Sequence, residues 1–249
     1  MRILLVSDLH YALPQLDWVV RAGPDYDLVV IAGDTLSIRS AVPLEAQSVT
    51  VLHYFSLIHS VTRLAVSSGN HDLTGPDANG EQAALWLTEA RASGIPTDGD
   101  SVVMDGALVT LCPFWDGPAG REQVAGQLAA DSARGSTHHV WVYHWPPTAS
   151  PTSWTGRREY GDADLAGWIQ EHRPDLVLAG HVHESPFKPA GAWADRIGNT
   201  WVFNPGNQIG QVPSHIVLDL DAQQATWVSM LGTEEIDLAS ETVPARTVF

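Results

Sequence analysis

The chain opens with Arg2-Ile3-Leu4-Leu5-Val6-Ser7-Asp8-Leu9-His10. Arg2–Val6 is a short apolar run of the kind that forms a buried strand, and it stops abruptly at polar Ser7. Just past its end stand a carboxylate, Asp8, and an imidazole, His10. Four later runs repeat the pattern. Asp27–Ile31 leads to Gly33-Asp34, and Arg63–Val66 leads to Gly69-Asn70-His71-Asp72. His139–Tyr143 leads to His144, and Asp175–Leu178 leads to Gly180-His181-Val182-His183. Helical periodicity occupies Leu16–Arg21, Glu45–His59, Gln82–Ala92 and Ala163–His172, with a weaker signal at Glu122–Ala130. Strands that alternate with helices predict βαβ units and largely parallel pairing.

Other segments predict antiparallel pairs. Ser101–Met104 and Ala107–Leu111 flank Asp105-Gly106, a hairpin turn signal. Ile216–Asp219 and Ala225–Met230 flank a short polar turn, and Trp201–Phe203 precedes the reversal Asn204-Pro205-Gly206. The expected fold class is therefore α/β, with two mixed β-sheets packed face to face and flanked by helices. The sequence has no internal repeat and no linker. It reads as a single domain over 1–249, with a peripheral tail at 236–249.

The 249 residues carry a formal charge of -16, from 13 basic and 29 acidic side chains. Such a field repels polyanions, and non-specific nucleic-acid binding needs many basic side chains, so a long duplex fits poorly as a partner. Cys112 is the sole cysteine, which excludes an intrachain disulfide and a structural zinc of the cysteine type. The first apolar run is too short for a signal peptide or a membrane span, so the expectation is a cytoplasmic protein with no membrane partner.

In open α/β sheets, function collects beyond the carboxyl ends of the strands. All five ends here present carboxylate, imidazole or amide groups. In extended backbone, residues i and i+2 point the same way, so Asp8 with His10, and His181 with His183, are expected to aim into one site. Glycine before Asp34, Asn70 and His181 is expected to allow sharp turns. A mixed nitrogen and oxygen donor set suits divalent Mn, Fe or Zn. Each element alone is commonplace, since a single aspartate at a strand end is usually a turn former or helix cap. The signal lies in five such ends in one order.

That ordered series resembles the calcineurin-like metallophosphoesterases from residue 8 to 183, and Asn204-Pro205-Gly206 resembles a later turn of the family. The resemblance implies a four-layer double βαβ sandwich holding two divalent metal ions. Asp8, His10, Asp34 and His183 would hold the first; Asp34, Asn70, His144 and His181 would hold the second. Asp34 would bridge both, and a hydroxide shared by the two ions would attack phosphorus. His71 would protonate the leaving group as a general acid, and Asn70 would also touch substrate. Asp72 has two readings, an orienting partner of His71 or a plain helix N-cap.

Phosphoprotein phosphatases of this family carry an acid and an arginine soon after Gly-Asp. Here Thr35-Leu36-Ser37 follows Asp34 and Arg39 is displaced, which argues against a phosphoprotein substrate. Phe114, Trp115, Trp145, Trp154, Arg157 and Arg158 are candidate pocket residues. The aromatics could stack on a base or simply pack loops, and an arginine could meet a second phosphate or stand solvated. The favoured reading is a phosphoesterase for a small or nucleotide phosphodiester or phosphomonoester. A nuclease and a catalytically silent metal-binding scaffold are the alternatives.

Overall fold

The computed structural model describes residues 1–243. In chain order the first half comprises β1 (Arg2–Val6), α1 (Leu13–Ala22), β2 (Leu28–Ala32), α2 (Leu44–His59), β3 (Arg63–Ser67), β4 (Gly75–Pro76), β5 (Gln82–Ala83) and α3 (Leu87–Ala92). Next come β6 (Ser101–Met104), β7 (Ala107–Leu111), α4 (Pro118–Ser132), β8 (His138–Val142), α5 (Ala163–His172) and β9 (Leu176–Leu178). The remainder is β10 (Ala194–Ile197), β11 (Thr200–Phe203), β12 (His215–Asp219), β13 (Gln224–Ser229) and β14 (Gly232–Asp237).

Two six-stranded sheets result, ordered β14-β13-β12-β1-β2-β3 and β10-β11-β9-β8-β7-β6. The centre of each is parallel: β1 pairs with β2 and β2 with β3, while β7, β8, β9 and β11 run together in the second sheet. Antiparallel hairpins close the flanks. At the β6–β7 turn, Asp105 and Gly106 take φ values of 49° and 87°, the left-handed pair that a two-residue hairpin requires.

Strand alternation builds the layers. Ile3, Leu5, Leu28 and Val30 of the first sheet meet Val109, Leu111, Val140, Val142 and Leu178 of the second in one core. The opposite faces pack on helices. Leu4, Val6, Val29 and Ile31 meet Leu16, Val19, Val51 and Phe55. Trp141, Tyr143, Val177 and Val202 meet Val124, Leu128, Leu165 and Ile169. Burial on both faces explains why the central strands read as near-continuous apolar runs.

The sequence reading needs three changes. The helix expected over Gln82–Ala92 starts only at Leu87. The backbone before it is spent on a small hairpin, with Thr74 N–H donating to Ala83 O at 2.9 Å and Asp77 N–H to Glu81 O at 2.7 Å. Strand β10 was not read from the sequence. Nor was β14, whose Ile236 is buried in the inter-sheet core, with Leu238 and Val243 packed against it. Of the tail expected at 236–249, residues 244–249 lie outside the described residues. Among the described residues, no helix is long and apolar enough to cross a membrane.

Candidate metal centre

The carboxyl ends of β1, β2 and β3 deliver Asp8, His10, Asp34 and Asn70-His71-Asp72. The ends of β8 and β9, in the other sheet, deliver His144, His181 and His183. Hydrogen bonds sew the two sets together. The His181 N–H donates to both Asp8 oxygens at 3.0 Å, and His144 Nδ1 meets Ala32 O at 2.7 Å. Asp8 and His10 N–H groups donate to Gly33 O and Asp34 O at 3.0 and 2.9 Å.

The pairs Asp8/His10 and His181/His183 converge, but not through extended backbone. Asp8, His10, Asp34 and His181 take φ values of 54°, 45°, 52° and 66°. These are left-handed conformations that non-glycine residues seldom adopt and that gather at functional sites. The glycines also act differently from expectation. Only Gly33 has a positive φ, 86°. Gly69 and Gly180 are required for space. A Cβ on Gly69 would sit 2.2 Å from Asp34 Oδ1 and 2.7 Å from His144 Nε2, and one on Gly180 would sit 2.5 Å from Asp8 Oδ2.

Two groups of donors form, Asp8, His10, Asp34 and His183 in one and Asp34, His144 and His181 in the other. In the first, His183 Nε2 lies 2.9 Å from His10 Nε2 and 3.2 Å from Asp8 Oδ1. In the second, His144 Nε2 lies 3.4 Å from Asp34 Oδ2, and His181 Nδ1 lies 2.9 Å from Asn70 Oδ1. Donors about 2.1 Å from one cation stand roughly 3.0–3.4 Å from each other in octahedral or tetrahedral geometry, so these spacings fit a divalent ion. Asp34 divides its oxygens: Oδ1 accepts from the His71 N–H at 2.8 Å, while Oδ2 faces His144 Nε2 and, at 3.9 Å, His10 Nε2.

A second test of fit is polar satisfaction. Buried polar atoms normally find hydrogen-bond partners. Here His144 Nε2, the nitrogen that faces Asp34 Oδ2, is buried with none. With Nδ1–H given to the Ala32 carbonyl, His144 keeps its Nε2 lone pair for the centre, the arrangement that fixes ligating imidazoles. The residues present therefore fit a pair of divalent ions.

Charge is tightly coupled. Burial opposes ionisation of Asp8 and Asp34, yet the surrounding imidazoles hold both carboxyls below the usual range. Burial likewise opposes charge on His144, but Asp34 and Asp8 override it and raise its pKa to about 9. His183 is raised too, against its burial, by Asp8. Burial and then His144 push His181 down to about 4.

Asp72 does not orient His71. Its carboxylate is buried and accepts the backbone N–H groups of Gly69, Leu36 and Thr35 at 2.8, 2.8 and 3.3 Å. It clips the β2 loop to the β3 loop, and burial followed by Asp34 raises its pKa to about 7. His71 stands against His10, ring centroids 4.5 Å apart, and its Nδ1 accepts from the Ile38 N–H at 3.3 Å.

The aromatic candidates divide. Trp115 packs on the outer helical layer and donates Nε1 to Tyr143 OH at 2.8 Å. Trp145 stacks on Phe114 at 5.6 Å and leans on His181 at 5.1 Å. Arg157 and Arg158 are exposed on the loop after Trp154. Sequence reasoning missed Tyr160, which stacks on His181 with centroids 5.1 Å apart and planes at 24°. It also missed Asn207, whose Nδ2 donates to Asp8 O. Neither has a spacing or motif that could have flagged it.

The profile of the calcineurin-like phosphoesterases (Metallophos) matches residues 1–185. No curated protein matches the chain. Among solved structures, TT1561 of Thermus thermophilus is similar, with TM-score 0.59 and 18% identity, covering 95% of this chain and 98% of that one. A dimetal phosphatase from Danio rerio is similar at TM-score 0.57 and 10% identity, covering 96% and 99%. At such identities these likenesses speak for the fold, and the two-sheet sandwich is theirs. The profile match spans every donor above, and with it the chain belongs to the calcineurin-like phosphoesterase family.

Proposed function

We propose that this protein hydrolyses small phosphate esters, monoesters or diesters, with a pair of divalent cations held at the strand ends. Asp8, His10, Asp34 and His183 hold one ion; Asp34, Asn70, His144 and His181 hold the other. The observation that carries the reading is Asp34 Oδ2, which faces a donor nitrogen of each cluster at 3.9 and 3.4 Å and so stands where one oxygen can bridge two ions. Such a pair supplies Lewis acidity, lowering the pKa of water toward neutrality and offsetting phosphate charge. The chain contributes placement and a proton. Nδ1 of neutral His71 accepts a backbone N–H, so its Nε2–H is a hydrogen-bond donor for the leaving oxygen. Full proton transfer requires the imidazolium, which burial disfavours and the Asp34 charge favours. Asp72 keeps the two loops in register beneath it.

The test is a hydrolysis screen with Mn²⁺, comparing bis-p-nitrophenyl phosphate with p-nitrophenyl phosphate. Turnover that requires the cation and stops on chelation is expected for at least one. Protein that binds two ions yet turns over neither ester would overturn the proposal.

A further inference from the structure

Residues Ser153–Tyr160 form a short hairpin at the rim of the centre. Tyr160 N–H donates to Ser153 O at 2.8 Å, Thr155 N–H donates to Arg158 O at 3.0 Å, and Trp154 bridges Glu159 across it. Gly156, with φ 85°, turns the tip. Alternation puts Arg158 and Tyr160 on one face and Glu159 on the other. The first face looks toward the donors. Tyr160 lays one side of its ring on His181, 5.1 Å between centroids, while the Arg158 guanidinium sits over the ring at 5.3 Å. Arg158 is thus two stacked layers from a candidate ligand of the second ion. The Lys188 stem lies against the hairpin tip, so a Cβ on Gly156 would meet its Cγ at 3.0 Å.

Basic side chains are scarce in this chain, so a group of three at one rim stands out. Only 13 basic residues serve a chain of net charge -16. Arg63, Arg91, Arg121 and Arg134 each pair with an aspartate. Among the described residues, Arg2, Arg21, Arg39, Arg157, Arg158, Arg173, Lys188 and Arg196 have no such pairing; Arg157, Arg158 and Lys188 gather at this one rim, and Arg39 lies near His71. A guanidinium held by its ring stack keeps its donor fork open for an anion, and it lessens the repulsion an anionic substrate would meet from the rest of the surface.

We infer that Arg158, positioned by Tyr160, is a specificity-determining residue that recognises a second phosphate on the substrate, so that esters carrying two phosphates are preferred over matched monophosphates. This rests on the phosphoesterase reading of the same centre. The probes are adenosine 3′,5′-bisphosphate, adenosine 5′-monophosphate and adenosine 3′-monophosphate, tested on Mn²⁺-loaded protein both by kcat/KM and by calorimetric titration. The expected wild-type preference for the bisphosphate is about 10- to 100-fold, the span that a charge-assisted hydrogen bond supplies. Arg158→Gln should bring the ratio to near unity, chiefly through KM. Arg173→Gln, at the far end of α5, should leave it intact. Equal binding of the three probes by wild type, or an unchanged ratio in Arg158→Gln, would overturn the inference. Absent turnover of both p-nitrophenyl phosphate and bis-p-nitrophenyl phosphate would count against the phosphoesterase reading instead, and the calorimetric ratio would still decide the role of Arg158.

Discussion

The two donor clusters share Asp34 but are built differently. The second is enclosed. His144 is fully covered, with one ring nitrogen anchored on a backbone carbonyl at 2.7 Å, and His181 lies under Tyr160. The first opens to solvent, with the His183 side chain 37% exposed and His10 18%. Anchored, desolvated ligands pre-pay their orientation, whereas mobile exposed ones must be ordered by the ion. The second position is therefore expected to hold its ion more tightly, and the first to exchange.

The largest effect should come from the shared residue. Asp34→Asn removes the common oxygen and with it the distinction between clusters. We expect both ions to be lost and turnover to fall by at least about 10³-fold, comparable to removing a metal-centred mechanism altogether. Metal analysis after gel filtration checks it, and one ion retained at full occupancy would mean that the clusters are independent.

His71 lies beside the open cluster without belonging to it. His71→Gln should retain both ions and slow turnover by roughly 10²–10⁴-fold, most for esters with poor leaving groups. A leaving-group series reads this directly, and equal slowing across the series would remove the proton-donor role.

The enclosed cluster should be the more sensitive to volume. Gly69→Ala would press on Asp34 and His144 together, destabilising the chain by about 1–3 kcal/mol, as overpacking does. Gly126→Ala, in α4 with open space around it, is the matched control and should be neutral or slightly stabilising. Thermal unfolding of both variants compares them.

The smallest effect is in pH. With its pKa raised to about 9, His144 in chelator-treated protein is protonated at neutrality, and the ion must displace that proton. Affinity at the enclosed position should tighten by about tenfold per pH unit between 6.5 and 9, then level. The stability sign is opposite. A raised histidine contributes fully below its unfolded value and loses that contribution as pH rises through the folded one, so chelator-treated protein should become less stable from pH 6.5 to 9. Titrations at three pH values test both slopes.

The same contrast explains what was legible in the sequence. The strands flanking the enclosed core are β-branched runs buried on both faces, and the side chains that follow them carry recognisable chemistry. Asp8, Asp34, His144 and His181 could thus be noticed at the strand ends, while their division between two ions was implied only by the family resemblance. What decides how they act was hidden in three dimensions. Gly69 looks like a turn residue and is instead a clearance for Asp34 and His144. Asp72 sits next to His71 in sequence yet spends its carboxylate on the backbone of two loops. Tyr160 becomes part of the centre only because the Ser153–Tyr160 hairpin folds back over His181, a tertiary event with no local signature. Strand β14 escaped notice because Gly232–Asp237 carries a single apolar side chain, Ile236, and so shows no apolar run, although Glu234 is buried at the Trp193 indole.

Anomalous scattering from crystals of Mn²⁺-loaded protein measures the shared-oxygen geometry most directly. Two peaks are expected, each about 2.2 Å from Asp34 Oδ2, one among His10, Asp8 and His183 and the other among Asn70, His144 and His181. A single peak, or two peaks that do not share Asp34, would contradict the two-ion centre.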